Sequence, residues 1–293
     1  MKTTLFFGTF AIVLLASCET EINHMIPLDG EDPGFAFSAT TETSGITKTH
    51  LSDNASGAGY YSLYWTKGDD ISVYDGTSTS VFTTDSDGEP TGMFTWKEGT
   101  IDKNASVYMA FYPSSITVSD MTLPETQNYV AGNVADFPMY AGSRTTELRF
   151  KNLCGIIRLS LRNKEIGSLR ISRIDLSAPH QGMSGRFSIG DEGAAIVTGT
   201  KGVSLNCETP VPIYTSTETD FNIVVPQDDY DPLYVTITDA EGKKVDLESE
   251  GKVRVTRSGI TRISLLLSSS SFSFDSSLER IPITDTDVDF TDR

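Results

Sequence analysis

The sequence predicts an all-β protein made of two antiparallel β-sandwiches, and three observations predict it. Roughly a dozen or more short segments carry apolar residues at alternate positions, the period of a strand with one buried face. Clusters of Gly, Pro, Asp, Asn and Ser punctuate them at the spacing of turns. No window of ten or more residues holds an apolar stripe at helical period. The 276 residues from Cys18 to Arg293 suit two sandwiches, divided near residues 142–147. The expected plan is a leader (1–17), a tether (18–34), an N-terminal sandwich (35–145), a C-terminal sandwich (146–267) and a tail (268–293).

The leader opens with the positive start Met1-Lys2 and continues through the apolar run LFFGTFAIVLL at 5–15. Eleven residues cannot span a bilayer, which takes about 20. Leu15-Ala16-Ser17-Cys18 then matches a bacterial lipoprotein signal, in which the Cys thiol is acylated and begins the mature chain. Cys18 is therefore the expected lipidation site, carrying palmitate-type chains and holding the protein to a membrane. The alternative is an ordinary cleaved signal with an incidental Cys.

The tether (IPLDGEDPG) is rich in turn formers. YYSLYW at 60–65, the turn Lys67-Gly68-Asp69-Asp70 and ISVYD predict strand, turn, strand, with Ile71 and Val73 on one face. Segments 80–83 and 93–96 flank the turn cluster DSDGEPTG, and SVYMAFY (106–112) stops at Pro113, which cannot donate to a central ladder. A polar stretch, 113–147, precedes the longest alternation. In 148–162, Leu153, Ile157, Leu159 and Leu161 share one parity against Arg158, Ser160 and Arg162, predicting one long half-buried strand. In 168–177 the phase slips between Ile171 and Ile174, predicting a β-bulge near Ser172-Arg173. Residues 233–247 predict a hairpin turning at Ala240-Glu241-Gly242-Lys243, and 252–267 a final pair about Arg257-Ser258-Gly259. The tail, with its Ser run and acidic end, predicts either disorder or one extra strand on the second sandwich.

Composition excludes several function classes. With 38% apolar residues, 15 Phe and 11 Tyr, a packed core is available. Loss of the leader removes one basic residue, Lys2, so 22 basic residues face 40 acidic ones, a net −18. That balance argues against nucleic acid and against polybasic lipid attachment. Cys154 lies in an apolar run that predicts a buried inert thiol, and a Cys154–Cys207 disulfide remains open in an exported chain.

Catalytic signals are poor, and neither cofactor nor metal is expected. His24, His50 and His180 lie in turn-like contexts without ligand spacing. Phosphate loops, nucleophile elbows and C-x-x-C pairs are missing. Asp285, Asp287 and Asp289 form D-x-D-x-D, but Phe290 stands where a calcium loop needs Gly. Asp228, Asp229 and Asp231 suit a turn better than a cation site. Asn54 and Asn104 match the N-glycan sequon, by chance in a bacterial lipoprotein. Trp65 and Trp96 could stack on a sugar, although core aromatics explain them better.

Several segments together resemble the fimbrillin family, the type V pilins and related lipoproteins of Bacteroides-type bacteria. They are Trp65–Tyr74 (WTKGDDISVY), Ala110-Phe111-Tyr112-Pro113, Leu123-Pro124-Glu125-Thr126-Gln127 and Phe137-Pro138-Met139-Tyr140-Ala141. FKNLCGIIRLSL (150–161), Met183-Ser184-Gly185 and FNIVVPQ (221–227) follow in the order such proteins show. The resemblance spans roughly residues 35–267. It implies two transthyretin-like β-sandwich domains, export to the outer membrane, and display in a cell-surface fimbrium. It also implies that a trypsin-like, usually Arg-specific protease removes the first strand, so that a strand of the next subunit fills the groove.

The sequence departs from that pattern. No Arg precedes Arg144, and Lys48 is the only Lys or Arg between Cys18 and Trp65, hence the one processing candidate. The expectation is an accessory tip or anchor subunit, or a non-polymerising relative, rather than a main stalk pilin. Expected partners are other fimbrial subunits by strand exchange, a membrane through Cys18, and a host or bacterial surface ligand. Phe272, Phe274, Ile281 and Ile283 are the expected donor-strand side chains. The competing reading is a carbohydrate-binding outer-membrane surface lipoprotein, which would show exposed coplanar aromatics.

Overall fold

The computed structural model describes residues 34–42, 52–53, 61–62, 64–134, 136–167, 169–191, 193–272 and 279–281. Among them are strands, turns and one 3-10 turn (Ser269–Ser271), and no α-helix. No helix of the described residues is long and apolar enough to cross a membrane.

The chain enters β1 (Ala36–Thr41), then β2 (Ser52–Asp53), β3 (Tyr61–Ser62), β4 (Asp70–Tyr74), β5 (Thr79–Thr84), β6 (Thr91–Glu98) and β7 (Tyr108–Tyr112). It continues through β8 (Thr122–Leu123), β9 (Thr126–Asn128), β10 (Met139–Ser143) and β11 (Glu147–Asn152). Seven strands close into a barrel in the order β1-β11-β10-β7-β4-β5-β6. Alternation explains the closure: Phe37 and Ala39 of β1, Ile71 and Val73 of β4, Phe82 of β5, Phe94 of β6 and Phe150 of β11 all point into one core. The turn cluster predicted between residues 83 and 93 joins β5 to β6.

The remaining strands are β12 (Gly155–Asn163), β13 (Arg170–Ser177), β14 (Ser184–Gly190), β15 (Gly193–Thr200), β16 (Gly202–Pro212) and β17 (Thr219–Val225). After these come β18 (Asp228–Tyr230), β19 (Tyr234–Asp239), β20 (Lys244–Ser249), β21 (Val253–Val255), β22 (Ile260–Leu267) and β23 (Glu279–Ile281). The three-stranded sheet β17-β12-β22 packs on the six-stranded sheet β23-β20-β19-β13-β16-β9. Ile157, Leu159 and Leu161 of β12 meet Ile174 of β13, Leu205 of β16 and Ile237 of β19 in that core, as sandwich packing requires. The predicted bulge is present, as a register shift between Ile171 and Arg173, and so is the hairpin of β19 and β20.

Several expectations are corrected. The run 148–162 is not one strand. It breaks at Leu153 and Cys154 into β11, which serves the barrel, and β12, which serves the sandwich. Nor is β12 half-buried: Arg158 and Ser160 are covered too, Arg158 bonded to Asn222 and Asp220, and Ser160 to Asp220 and Arg262. Gln127 trades hydrogen bonds with the Val224 main chain, and Asn222 donates to the Asn133 carbonyl. Of the strand expected at 60–65, the described residues hold β3 and a lone bridge between Trp65 and Glu89, and the Trp65 side chain lies in the core. β21 and β22 do not pair with each other; β21 pairs with β18 and β22 with β12. Pairing is also not purely antiparallel: β1·β11, β12·β22, β16·β9 and β20·β23 are parallel.

Candidate functional site

The position that could exchange a strand is the seam filled by β1. This strand lies between β6, antiparallel from Ala36↔Thr95 to Thr40↔Thr91, and β11, parallel from Ser38↔Glu147 to Thr41↔Phe150. It joins β6 to β11, so its departure would leave two unpaired edges and a trough in the barrel wall.

Its inward side chains run large, small, small. Phe37 and Ala39 are 0% exposed and Thr41 is 4% exposed. The Phe37 ring stands edge-on to Phe82 (centroids 4.9 Å) and Tyr108 (5.0 Å), with Phe35 at 5.2 Å. Burying one such ring contributes about 1.5–3 kcal/mol. Trp65, packed edge-on to Phe94, Tyr112 and Phe150, donates its Nε1–H to the Ala39 carbonyl at 2.9 Å.

A second clasp holds the end of β1. The Glu42 carboxylate accepts two hydrogen bonds from Arg257, Nη1 to Oε2 at 2.7 Å and Nη2 to Oε1 at 3.2 Å. The Asn152 amide also donates to Oε2, at 3.2 Å. This fork geometry is the strong form of an ion pair, and both partners are largely withdrawn from water. Arg257 sits in the turn between β21 and β22, where Ser258 adopts φ 63° and Gln227 accepts the Arg257 amide at 2.8 Å. Gly193 is needed beneath it: a Cβ there would lie 2.6 Å from the Leu153 carbonyl oxygen and 3.0 Å from Arg257 Cδ, at φ 103°. The clasp therefore ties the first strand of the barrel to the last turn of the second core.

Beside the clasp opens a cleft of about 630 Å³, with Met109, Phe111, Met121 and Ile189 on its apolar walls and Lys151 and Arg257 on its polar side. No group of three or more His, Cys, Asp or Glu that could hold a metal occurs among the described residues. The seam offers main-chain pairing and side-chain pockets.

Of the residues singled out in the sequence, Cys18, Lys48, Phe274 and Ile283 lie outside the described residues, as does the acidic run at 285–289. Phe272 is buried in the second core. Ile281 ends β23, opposite Ser249 of β20. Trp65 is a core residue, and Trp96 is half-buried with its Nε1–H given to the Gly99 carbonyl. Cys154 and Cys207 are free thiols in different cores. Burial pushes the first up to about 12 and the second to about 11. Asp229 pairs with Lys252 and Arg254 across β18 and β21, and these hold its carboxyl below the usual range. Glu42 and Arg257, 215 positions apart, carried no sequence signal as a pair.

No family model and no curated protein matches the chain. Among solved structures, similarity is found to a putative cell adhesion protein from Bacteroides ovatus, at 14% identity and TM-score 0.46, covering 80% of this chain and 93% of that one. A second of that description, from Bacteroides uniformis, matches at 16% identity and TM-score 0.46, over 81% and 95%. The tip fimbrial protein Mfa3 from Porphyromonas gingivalis, with a C-terminal truncation, matches at 10% identity and TM-score 0.31, over 79% and 96%.

Proposed function

We propose that this chain is a non-enzymatic fimbrial subunit of the cell surface, held to the outer membrane by acylated Cys18, that assembles by β-strand exchange at the β1 seam. The observation that carries the proposal is the place of β1: one short strand closes the barrel, fills its core with Phe37 and Ala39, and is bounded by the distant strands β6 and β11. A donated strand would regain both ladders and the same pockets, which is β-augmentation. The fimbrillin resemblance of the sequence supports the same reading, including two transthyretin-like domains, one about each core. Partners are then other fimbrial subunits.

The intact chain is assigned an accessory role, anchor or tip, rather than the stalk. Lys48 follows β1 in the sequence, so a cut there would sever β1 together with the lipid, and no Arg precedes Arg144 to offer an Arg-specific protease a cut near β1. An uncut chain keeps both. The sugar-binding alternative receives no support from Trp65, which is wholly inside the barrel.

N-terminal sequencing and mass analysis of the chain recovered from cell-surface fimbriae test this directly. The expected product begins at acylated Cys18 and co-purifies with other subunits, and Cys18→Ala loses the membrane fraction. A start after Lys48 would overturn the accessory assignment. Recovery as a soluble monomer without fimbrial partners would overturn the proposal.

A further inference from the structure

Two walls of different origin face each other across the cleft of about 630 Å³. One is the outer face of the barrel. Side chains alternate along β7, so Tyr108 and Tyr112, which meet Phe37 and Trp65, face the core while Met109 and Phe111 face the cleft. Tyr140 of β10 lies opposite Phe111 on one side and Lys151 of β11 on the other, which sets these three side chains in one row across the wall. The other wall is the β14–β15 hairpin, with Ile189 and Asp191. Met121 joins the two: it precedes β8, which pairs with β14, and its carbonyl accepts the Phe187 amide at 2.9 Å. Met109, Met121, Tyr140 and Ile189 are only half-buried, so apolar surface is left facing the cleft. Of its two cations, Arg257 is committed to Glu42. The Lys151 ammonium has no hydrogen-bond or ion-pair partner among the described residues, in a chain with 40 acidic residues against 23 basic ones.

We infer that this cleft binds a small amphipathic carboxylic acid with a flexible acyl chain, its carboxylate on Lys151 and its chain along Met109, Met121 and Ile189. Three observations select that chemistry. The volume falls in the range of ligand sites, about 300–1,000 Å³, and the lining has their make-up, mostly apolar with a few polar groups. One uncommitted cation matches a single negative charge, whereas Asp191 on the same lining repels a second, such as a phosphate dianion carries. The Phe111 and Tyr140 rings meet at 48° with centroids 5.4 Å apart, so they form no parallel slot for a flat ring. Two unbranched thioether side chains instead adapt to a chain that bends. Because the walls come from the barrel and from the β14–β15 hairpin, a chain seated there covers apolar surface on both and ties them together. Lys151 is the specificity-determining residue of the site, set in place by the pairing of β10 with β11.

The test uses the full chain with Cys18→Ala, purified without detergent, and decanoate as the probe at concentrations where it is monomeric. Binding is followed by titration calorimetry and by the NMR signals of methionines labelled at the methyl carbon. The expected result is saturable one-to-one binding that moves the Met109 and Met121 methyl signals and raises the melting temperature. Decyltrimethylammonium, with the same chain and the opposite charge, should bind more weakly by about tenfold or more. Lys151→Ala should weaken decanoate by about tenfold and erase the preference between the two head groups, while Lys151→Arg should keep it. Lys151 is exposed, so its replacement leaves the core intact, and an unchanged melting temperature without ligand checks this. Absence of saturable binding, or binding that leaves both methyl signals in place, would overturn the site. Equal affinity for the two head groups, or indifference to Lys151→Ala, would overturn the assignment of a carboxylate. None of these results bears on strand exchange at β1.

Discussion

β1 and β12 occupy equivalent places and are held very differently. Each is an internal strand with one parallel and one antiparallel neighbour. β12 is paired from Gly155 to Leu161 on β17 and from Ile156 to Asn163 on β22. It is buried on both faces: Ile157 and Leu159 face the sandwich core, and Ile156 faces the residues that pack beneath the barrel. β1 is paired over fewer residues on each side, buries one face, and depends on two clasps that reach it from elsewhere, Trp65 and Arg257. The difference teaches that position in a sheet does not by itself make a strand permanent. Two-sided burial and long ladders hold β12, and β1 has neither.

The comparison can be broken by mutation. Leu159→Asp places a carboxylate without a partner in the β12 core and should abolish the folded state, a loss of several kcal/mol seen as absent cooperative melting. Phe37→Ala should cost about 3–5 kcal/mol, and hydrogen exchange should show that loss in β1, β6 and β11 while leaving the sandwich protected. Trp65→Phe keeps the aromatic packing but removes the donor to the Ala39 carbonyl, an expected cost of about 1–3 kcal/mol in urea titration.

A smaller effect concerns the turn between β4 and β5. Desolvation pushes the Asp75 carboxyl up, but the amides of Ser78, Asp102 and Thr77 and the Ser78 hydroxyl outweigh it, so the folded value lies below the unfolded one. Its contribution is therefore complete above the ordinary aspartate range and lost as pH falls through the depressed folded value. Asp75→Asn should cost about 1 kcal/mol at neutral pH and flatten the acid limb of stability against pH. The smallest effect is expected from reductant. Cys154 and Cys207 are free, so dithiothreitol should leave the melting temperature unchanged, and both thiols should resist iodoacetamide until the chain is denatured.

Much of this fold was legible because period-two alternation survives wherever one face meets water, as in β5, β19 and β20. Even the bulge at Ile171–Arg173 showed as a slip of phase. Where the polar face is covered by chain from far away, the alternation of β12 was visible but its meaning was not, because Arg158 and Ser160 looked like solvent-facing residues. Parallel partners, β1 with β11 and β12 with β22, leave no local mark, since no turn joins them. The clasp was illegible for the same reason: Glu42 and Arg257 are ordinary residues until the fold makes them neighbours.

Hydrogen–deuterium exchange on the intact chain, resolved to β1 and β12, measures the exchangeability of β1 most directly. A lendable strand predicts that the amides of Ser38 to Thr41 open in a local event, at lower free energy than those of Ile157 to Leu161, with the sandwich still folded. Equal protection in the two strands, lost together in one global transition, would contradict it.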